Sequence, residues 1–96
     1  MSELHDILLR PIVTEKTSRL SALENTYVFE VGLGANKHQI KGAVESVFGV
    51  RVANVRTLQV RGKVKRTGRH YAKRSNWKKA YVQLVDGDQL NFYDES

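Results

Sequence analysis

Residues 50–85 read VRVANVRTLQVRGKVKRTGRHYAKRSNWKKAYVQLV. Two β-rich runs, 50–60 and 77–85, frame a polar middle that contains Gly62 and Gly68. Branched and aromatic residues at both ends, with glycines between them, predict an antiparallel pair whose hairpin outgrows the sheet. The tip is expected near Thr67-Gly68, with basic residues on both arms. If extended, arms of about eight residues would reach roughly 25 Å at about 3.3 Å per residue. Such a ribbon has too little apolar surface to hold a fixed shape alone, so it is expected to order on contact with a partner.

The partner is signalled by charge. The chain has sixteen Lys and Arg against ten acids, a net of +6, but the two signs are segregated. No Asp or Glu occurs between Glu45 and Asp86, and residues 46–85 hold eleven of the sixteen cations. A compact fold cannot bury that many charges without partners, so they face water or a polyanion. A solvated face is the plain alternative. Three features speak against it: the absence of acids, glycines that allow close backbone approach, and the rings of His70, Tyr71 and Trp77, which can stack on unpaired bases. Trp77 and Tyr81 can equally be strand residues that cover the sheet. Arg61, Arg66, Arg69 and Arg74 can grip phosphates in bidentate fashion, whereas the lysines act as point charges.

At 96 residues the chain has the length of one domain, expected to span 1–96 with a hairpin extension at about 61–78. No apolar run approaches the roughly 20 residues that span a bilayer, so the protein is not expected to be membrane-embedded. MSELHDILLRP carries two acids ahead of its apolar run, the wrong charge for a secretory signal. With no cysteine, disulfides and thiolate metal sites are excluded. A pI near 9.8 favours nucleic acid or another anionic surface.

Toward the N-terminus, residues 7–13 (ILLRPIV) are an edge strand or extended arm, because Pro11 lacks an amide donor. Thr14 reads as the N-cap of a helix over 15–23 that buries Leu20 and Leu23, with Glu15 complementing the helix dipole. Residues 27–31 (YVFEV) form a strand with Tyr27, Phe29 and Val31 toward the core. Gly32 and Gly34 make a turn; their GxG lacks the rest of a phosphate loop. Asn36 and Gln39 have capping-box spacing ahead of a second helix. Its apolar stripe is Ile40, Ala43, Val44, Val47 and Phe48, and Gly49 ends it. After residue 85 the tail is short and acidic, with Leu90 and Phe92 tucked back onto the body. The fold class is therefore α+β: an antiparallel sheet of three to four strands packed with two helices, plus a long basic β-hairpin.

Catalytic chemistry has no foothold. His5, His38 and His70 are far apart and make no HxH or HxxxH pair. Asp86 and Asp88 flank Gly87 as an exposed turn does, and no nucleophile, base and anion-stabiliser come together. No enzyme activity, cofactor, metal or small-molecule substrate is expected.

RPIVTEKT, NTYVFEV, ANKHQIKGAVESVFGV, VANVRTLQVRGKVKRTGR and WKKAYVQL, in this order and spacing, resemble the bacterial large-subunit ribosomal protein twenty-three family over residues 7–92. The most specific parts are Pro11, Thr14, Glu15 and Lys16, then Gly62-Lys-Val-Lys-Arg with Gly68-Arg69, and Lys78-Lys79-Ala80. The resemblance implies a structural, cytoplasmic protein of the ribosome that binds large-subunit ribosomal RNA at the polypeptide tunnel exit. It implies neighbouring ribosomal proteins as partners, and a docking site for trigger factor, signal recognition particle and the translocon. Carried over, that docking site is Val13, Thr14 and Glu15. The absence of a presequence favours a bacterial over an organellar member.

The expected RNA-binding set is Lys37, Lys41, Arg51 and Arg56 on the body. Arg61, Lys63, Lys65, Arg66, Arg69, His70, Tyr71, Lys73, Arg74, Trp77, Lys78 and Lys79 join it in and beside the hairpin. A free RNA-binding chaperone or regulatory RNA-binder using the same hairpin is the alternative. If six of these cations meet phosphates, affinity falls roughly a thousandfold between about 50 and 200 mM salt. Neutralising the hairpin cations is expected to flatten that slope in filter-binding titrations; an unchanged slope would remove them from the interface.

Overall fold

The computed structural model describes residues 7–62, 64–73 and 75–90, with backbone alone for 65–67 and 70–73. In chain order the elements are β1 (Leu8–Pro11), α1 (Glu15–Glu24), β2 (Thr26–Val31), α2 (Lys37–Phe48), β3 (Val52–Val60), β4 (Val64–Thr67), β5 (His70–Lys73) and β6 (Trp77–Leu84). A four-stranded antiparallel sheet has the order β1-β2-β6-β3, and β4 and β5 form a separate two-stranded ladder. This is the α+β architecture that the segment pattern implies.

The last long strand lies in the middle of the sheet, between β2 and β3. Its register sets Val82 opposite both Tyr27 and Val55, and Ala80 opposite both Phe29 and Thr57. Tyr27, Phe29, Val31, Val55, Ala80 and Val82 thus share one face, and they join Ile40 and Val44 of α2 in a single core cluster. Phe29, Ile40, Val31, Val44 and Val82 are the largest side chains that are wholly buried.

β3 reaches this register through a bulge. Val52 pairs with Leu84 and Asn54 with the adjacent Gln83, so two residues of β3 span one of β6. The extra residue lets Val52 and Val55 both face the core although their spacing breaks strand alternation. Asn54 is turned to the opposite face as a consequence.

The helices begin and end as their caps dictate. Asn36 Oδ1 accepts from the Gln39 amide at 2.8 Å, and Gln39 Oε1 accepts from the Asn36 amide at 3.0 Å. Gly49 ends α2 at φ 66°, where a Cβ would be strained. Thr14 caps α1 and makes a reciprocal pair with Thr17, which serves as the third helical residue. Asn25 closes α1 at φ 52°, and its side-chain amide donates to the Asp88 carbonyl at 2.8 Å. The end of α1 is thereby tied to the turn after β6. The Leu90 amide donates to Tyr27 Oη at 3.1 Å and Leu90 is buried, so the tail returns to the body at that residue. Phe92 lies outside the described residues.

Three expectations change. α1 buries no residue completely and Leu23 is 81% exposed, because the helix runs along β2 with this position turned to solvent. In α2 the stripe is buried at Ile40, Ala43 and Val44, whereas Val47 and Phe48 remain exposed at its end. The Phe48 ring still approaches Phe29, with centroids 5.8 Å apart. The basic arms are also not one continuous ribbon. β3 ends at Val60 and β6 begins at Trp77, where the Gly62 amide donates to Asn76 Oδ1 at 2.8 Å. This side chain occupies a backbone donor that a continuing ladder would use. Beyond it, Val64 to Thr67 pair with Lys73 to His70. Gly68 turns the chain at φ 62°, as the first central residue of a type II′ hairpin turn does.

Ile40→Ala is expected to cost about 2–5 kcal/mol, because a wholly buried side chain is removed from the core. Urea denaturation followed by circular dichroism would measure it. A loss of under about 1 kcal/mol would show that the core closes over the gap.

Candidate nucleic-acid interface

Alternation along the central strands gives the sheet a second face, turned away from the core cluster. Trp77, Lys79, Tyr81 and Gln83 of β6 stand there, paired with Val60, Leu58, Arg56 and Asn54 of β3. Trp77, Lys79 and Tyr81 are half-buried, while Arg56 is exposed. The Arg56 guanidinium carbon lies 5.4 Å from the centre of the Tyr81 ring, and Lys79 Nζ lies 5.5 Å from it. Two cations are therefore gathered around one aromatic ring, an attraction of about 0.5–1 kcal/mol each at exposed sites. Tyr81 was missing from the sequence-derived set. Its signal was the alternation that buries Ala80 and Val82 and so turns residue 81 outward.

The other expected cations are dispersed. Lys37 and Lys41 are exposed on α2, one turn apart, on the side of the sheet that carries the core. They do not share a face with Arg56 and Lys79. Arg61 is exposed just beyond β3, and Arg69 is exposed in the hairpin turn. Lys65, Arg66, His70, Tyr71 and Lys73 take their places along the β4–β5 ladder by backbone alone. The expectations for Lys63 and Arg74 lie outside the described residues.

Lys78 departs from the pattern. It pairs with Val31 and Gln59 on the core side, and its ammonium donates to the Ala35 carbonyl at 2.6 Å. One of its three donors therefore closes the β2–α2 loop onto the sheet.

Ion pairs mark which charges are already engaged. Arg10 Nε meets Glu30 at 2.6 Å, Arg19 meets Glu15 at 3.9 Å, and Arg51 Nε meets Asp88 at 3.3 Å. Among the described residues, Lys37, Lys41, Arg56, Arg61, Arg69 and Lys79 have no carboxylate partner. Asp88 Oδ2 also accepts from the Arg51 backbone amide at 2.7 Å. That backbone bond, reinforced by the guanidinium, holds the Asp88 carboxyl below its ordinary value of 3.8. Asp86 and Asp88 thus belong to a turn that closes the sheet. They line a broad, open cleft with the end of α1.

The proposed docking residues lie at the opposite edge of the sheet, after β1. Val13 is 44% exposed, and Thr14 is held by its cap. Glu15 is exposed in the first turn of α1, with Arg19 as its neighbour. Beside β1, a mainly apolar cleft of about 260 Å³ is lined by Leu8, Leu9, Pro11, Phe29, Val47 and Phe48, with Arg10 at its margin.

Among the described residues no three His, Asp or Glu gather as a metal site, and no helix is long and apolar enough to cross a membrane. Fold and charge define an α+β domain with an acid-free basic half and no catalytic constellation among those residues. Comparison with known proteins gives the family. The model for ribosomal protein L23 matches residues 6–92. The chain is 53% identical over 91 residues to the large ribosomal subunit protein uL23 of Geobacter metallireducens, covering 95% of this chain and 97% of the relative. It is 54% identical over 93 residues to that of Syntrophotalea carbinolica, covering 97% and 98%. With that of Symbiobacterium thermophilum it shares 48% over 93 residues, covering 96% and 97%. The chain belongs to the ribosomal protein L23 family, a family of structural proteins, and is not an enzyme.

Asp88 supplies a pH signature. Its native carboxyl gives up its proton at lower pH than the unfolded one, so its stabilising contribution is complete above pH 3.8. The contribution disappears as pH falls through the lowered native value. Carboxyl NMR titration should place Asp88 below 3.8, and Asp88→Asn should remove this part of the acid-side loss of stability. An Asp88 midpoint at or above 3.8 would contradict the Arg51 contact.

Proposed function

We propose that the chain is a structural component of the large ribosomal subunit, working in the cytoplasm, that binds large-subunit ribosomal RNA at the polypeptide tunnel exit. The observation that carries the proposal is the acid-free half, residues 46–85, with eleven cations. Arg56 and Arg61, exposed and without a carboxylate partner among the described residues, supply phosphate contacts from β3 and its end, Arg69 supplies one from the hairpin turn, and Lys79 one from β6. The basic residues of 63–74 extend the contact along the hairpin, and Lys37 and Lys41 reach RNA that passes over α2. Segregated cations serve a polyanion well, because each phosphate contact releases counterions. Arg51 and Lys78 join the interface while also holding the body together. Neighbouring ribosomal proteins complete the setting, and the chain acts as one domain over residues 1–96.

The edge remote from β3 is left for proteins. Val13, Thr14 and Glu15 form a docking site for trigger factor, signal recognition particle and the translocon, with Glu15 offering its carboxylate to a basic partner. Dipole complement and docking are compatible at this position, since a carboxylate in the first helical turn is both fixed and exposed. An incoming cation displaces Arg19, whose exposed pairing at 3.9 Å is weak.

Tagged parent and Glu15→Ala chains, run on high-salt sucrose gradients with and without RNase, test both halves. Both chains should migrate near-stoichiometrically with the large subunit and lose that position after RNase. Mutant subunits should retain less trigger factor. A chain that stays at the top of the gradient would contradict the ribosomal role and favour a free RNA-binder. Equal trigger factor retention by both subunits would contradict the docking role of Glu15.

A further inference from the structure

The outer sheet face holds a feature that phosphate binding alone does not require. A cleft of about 220 Å³ is lined by Glu24, Thr26, Asn54, Arg56, Tyr81 and Gln83. It is too small for a helix, whose diameter with side chains is about 10–12 Å. Its lining combines one aromatic ring, one guanidinium and two carboxamides, with Glu24 and Thr26 completing the wall. We propose that this cleft receives a single unpaired nucleotide of RNA. The base stacks on the Tyr81–Arg56 platform, the Asn54 and Gln83 amides meet its edge, and Arg56 and Lys79 hold the adjoining phosphate. The inference rests on the RNA-binding reading above and adds base recognition to it.

Four observations converge on it. First, the Tyr81 ring gathers Arg56 at 5.4 Å and Lys79 at 5.5 Å, so two otherwise flexible cations are held at one spot before any phosphate arrives. Planar guanidinium and aromatic surfaces are what splayed bases stack on. Second, β3 has its bulge at this point. In regular register Asn54 would share the core face with Val52; the bulge turns it outward, next to Arg56. Third, the amides offer both donors and acceptors. Gln83 Nε2 donates to the Glu24 carbonyl at 3.4 Å, which biases its orientation, and Asn54 is exposed, its side chain without a hydrogen-bond partner among the described residues. A carboxamide can donate and accept at one base edge, a capacity that a purely cationic phosphate site lacks. Fourth, Thr26 Oγ1 is already committed to the Glu24 carbonyl at 3.0 Å, so the floor of the cleft is fixed. An acidic peptide would satisfy Arg56 and Lys79 but would leave the ring and the amides without a role.

The test uses full-length, isotope-labelled protein titrated with short single-stranded oligoribonucleotides of each base. An abasic oligomer with the same number of phosphates serves as control. Tyr81 ring protons and the Asn54 and Gln83 side-chain amides should shift with base-bearing oligomers, one base giving the largest effect, and stay in place with the abasic one. Tyr81→Leu should weaken the best oligomer by about fivefold to a hundredfold, the range for loss of one base–aromatic stack. Asn54→Ala, at an exposed position, should reduce the preference among bases and keeps the test decisive if Tyr81→Leu does not fold. Equal cleft shifts from abasic and base-bearing oligomers would overturn the proposal. So would parental affinity in Tyr81→Leu, or an unchanged base preference in Asn54→Ala. Shifts confined to hairpin and body cations would overturn it while leaving RNA binding intact. Failure to bind RNA together with failure to join the large subunit would remove the parent reading as well.

Discussion

Pairing of β6 with both β2 and β3 is the constraint on which the rest of the molecule depends. Residues 78–83 of this strand are fixed twice, once against each neighbour, so a one-residue slip would send every side chain to the wrong face. In the observed register Ala80, Val82 and Leu84 complete the core under α2, while Trp77, Lys79 and Tyr81 stand on the other side. The apolar and basic characters of one short segment are thereby separated by the pleat alone. The bulge at the start of β3 adjusts the match and brings Asn54 and Arg56 to the outer face.

Stability and binding consequently draw on different residues. The core is aliphatic and aromatic, and the ion pairs among the described residues are peripheral, where such pairs contribute little. Among the described residues of the acid-free half, Arg56, Arg61, Arg69 and Lys79 meet no carboxylate, and a polyanion relieves their mutual repulsion. Arg51 and Lys78 are the exceptions, since each also closes a loop against the sheet. The two edges of the sheet differ in the same sense. β3 leads into the basic hairpin, whereas β1 leads into the exposed cap of α1 and borders the apolar cleft.

Much of this was legible in the sequence. The core-facing Tyr27, Phe29 and Val31, the Asn36–Gln39 capping pair and the Gly49 stop each appear where local chemistry places them, although Thr26 and Val28 on the other face of β2 are buried too. The central place of β6 was not legible, because strand order depends on contacts far apart in the chain. Leu23 misled because an apolar residue at helical spacing implies burial only where a second layer covers it. Val52 and Val55 break strand alternation, and only the bulge reconciles them. In the site, charge segregation was readable from composition alone, yet neither the gathering of Arg56 and Lys79 around Tyr81 nor the inward pull on Lys78 has a one-dimensional signature. The docking residues came from resemblance, and their geometry adds only that Val13 and Glu15 are exposed and that Thr14 is fixed by its cap.

The central claim is that the acid-free half meets RNA while the β1 edge faces away from it. Photo-crosslinking within intact large subunits, with a reactive residue placed in turn at positions 13, 41, 58, 69 and 79, tests this most directly. The account predicts RNA adducts at positions 41, 58, 69 and 79 and protein adducts or none at position 13. RNA adducts concentrated at position 13, with the β3–β6 face and the hairpin turn silent, would contradict it.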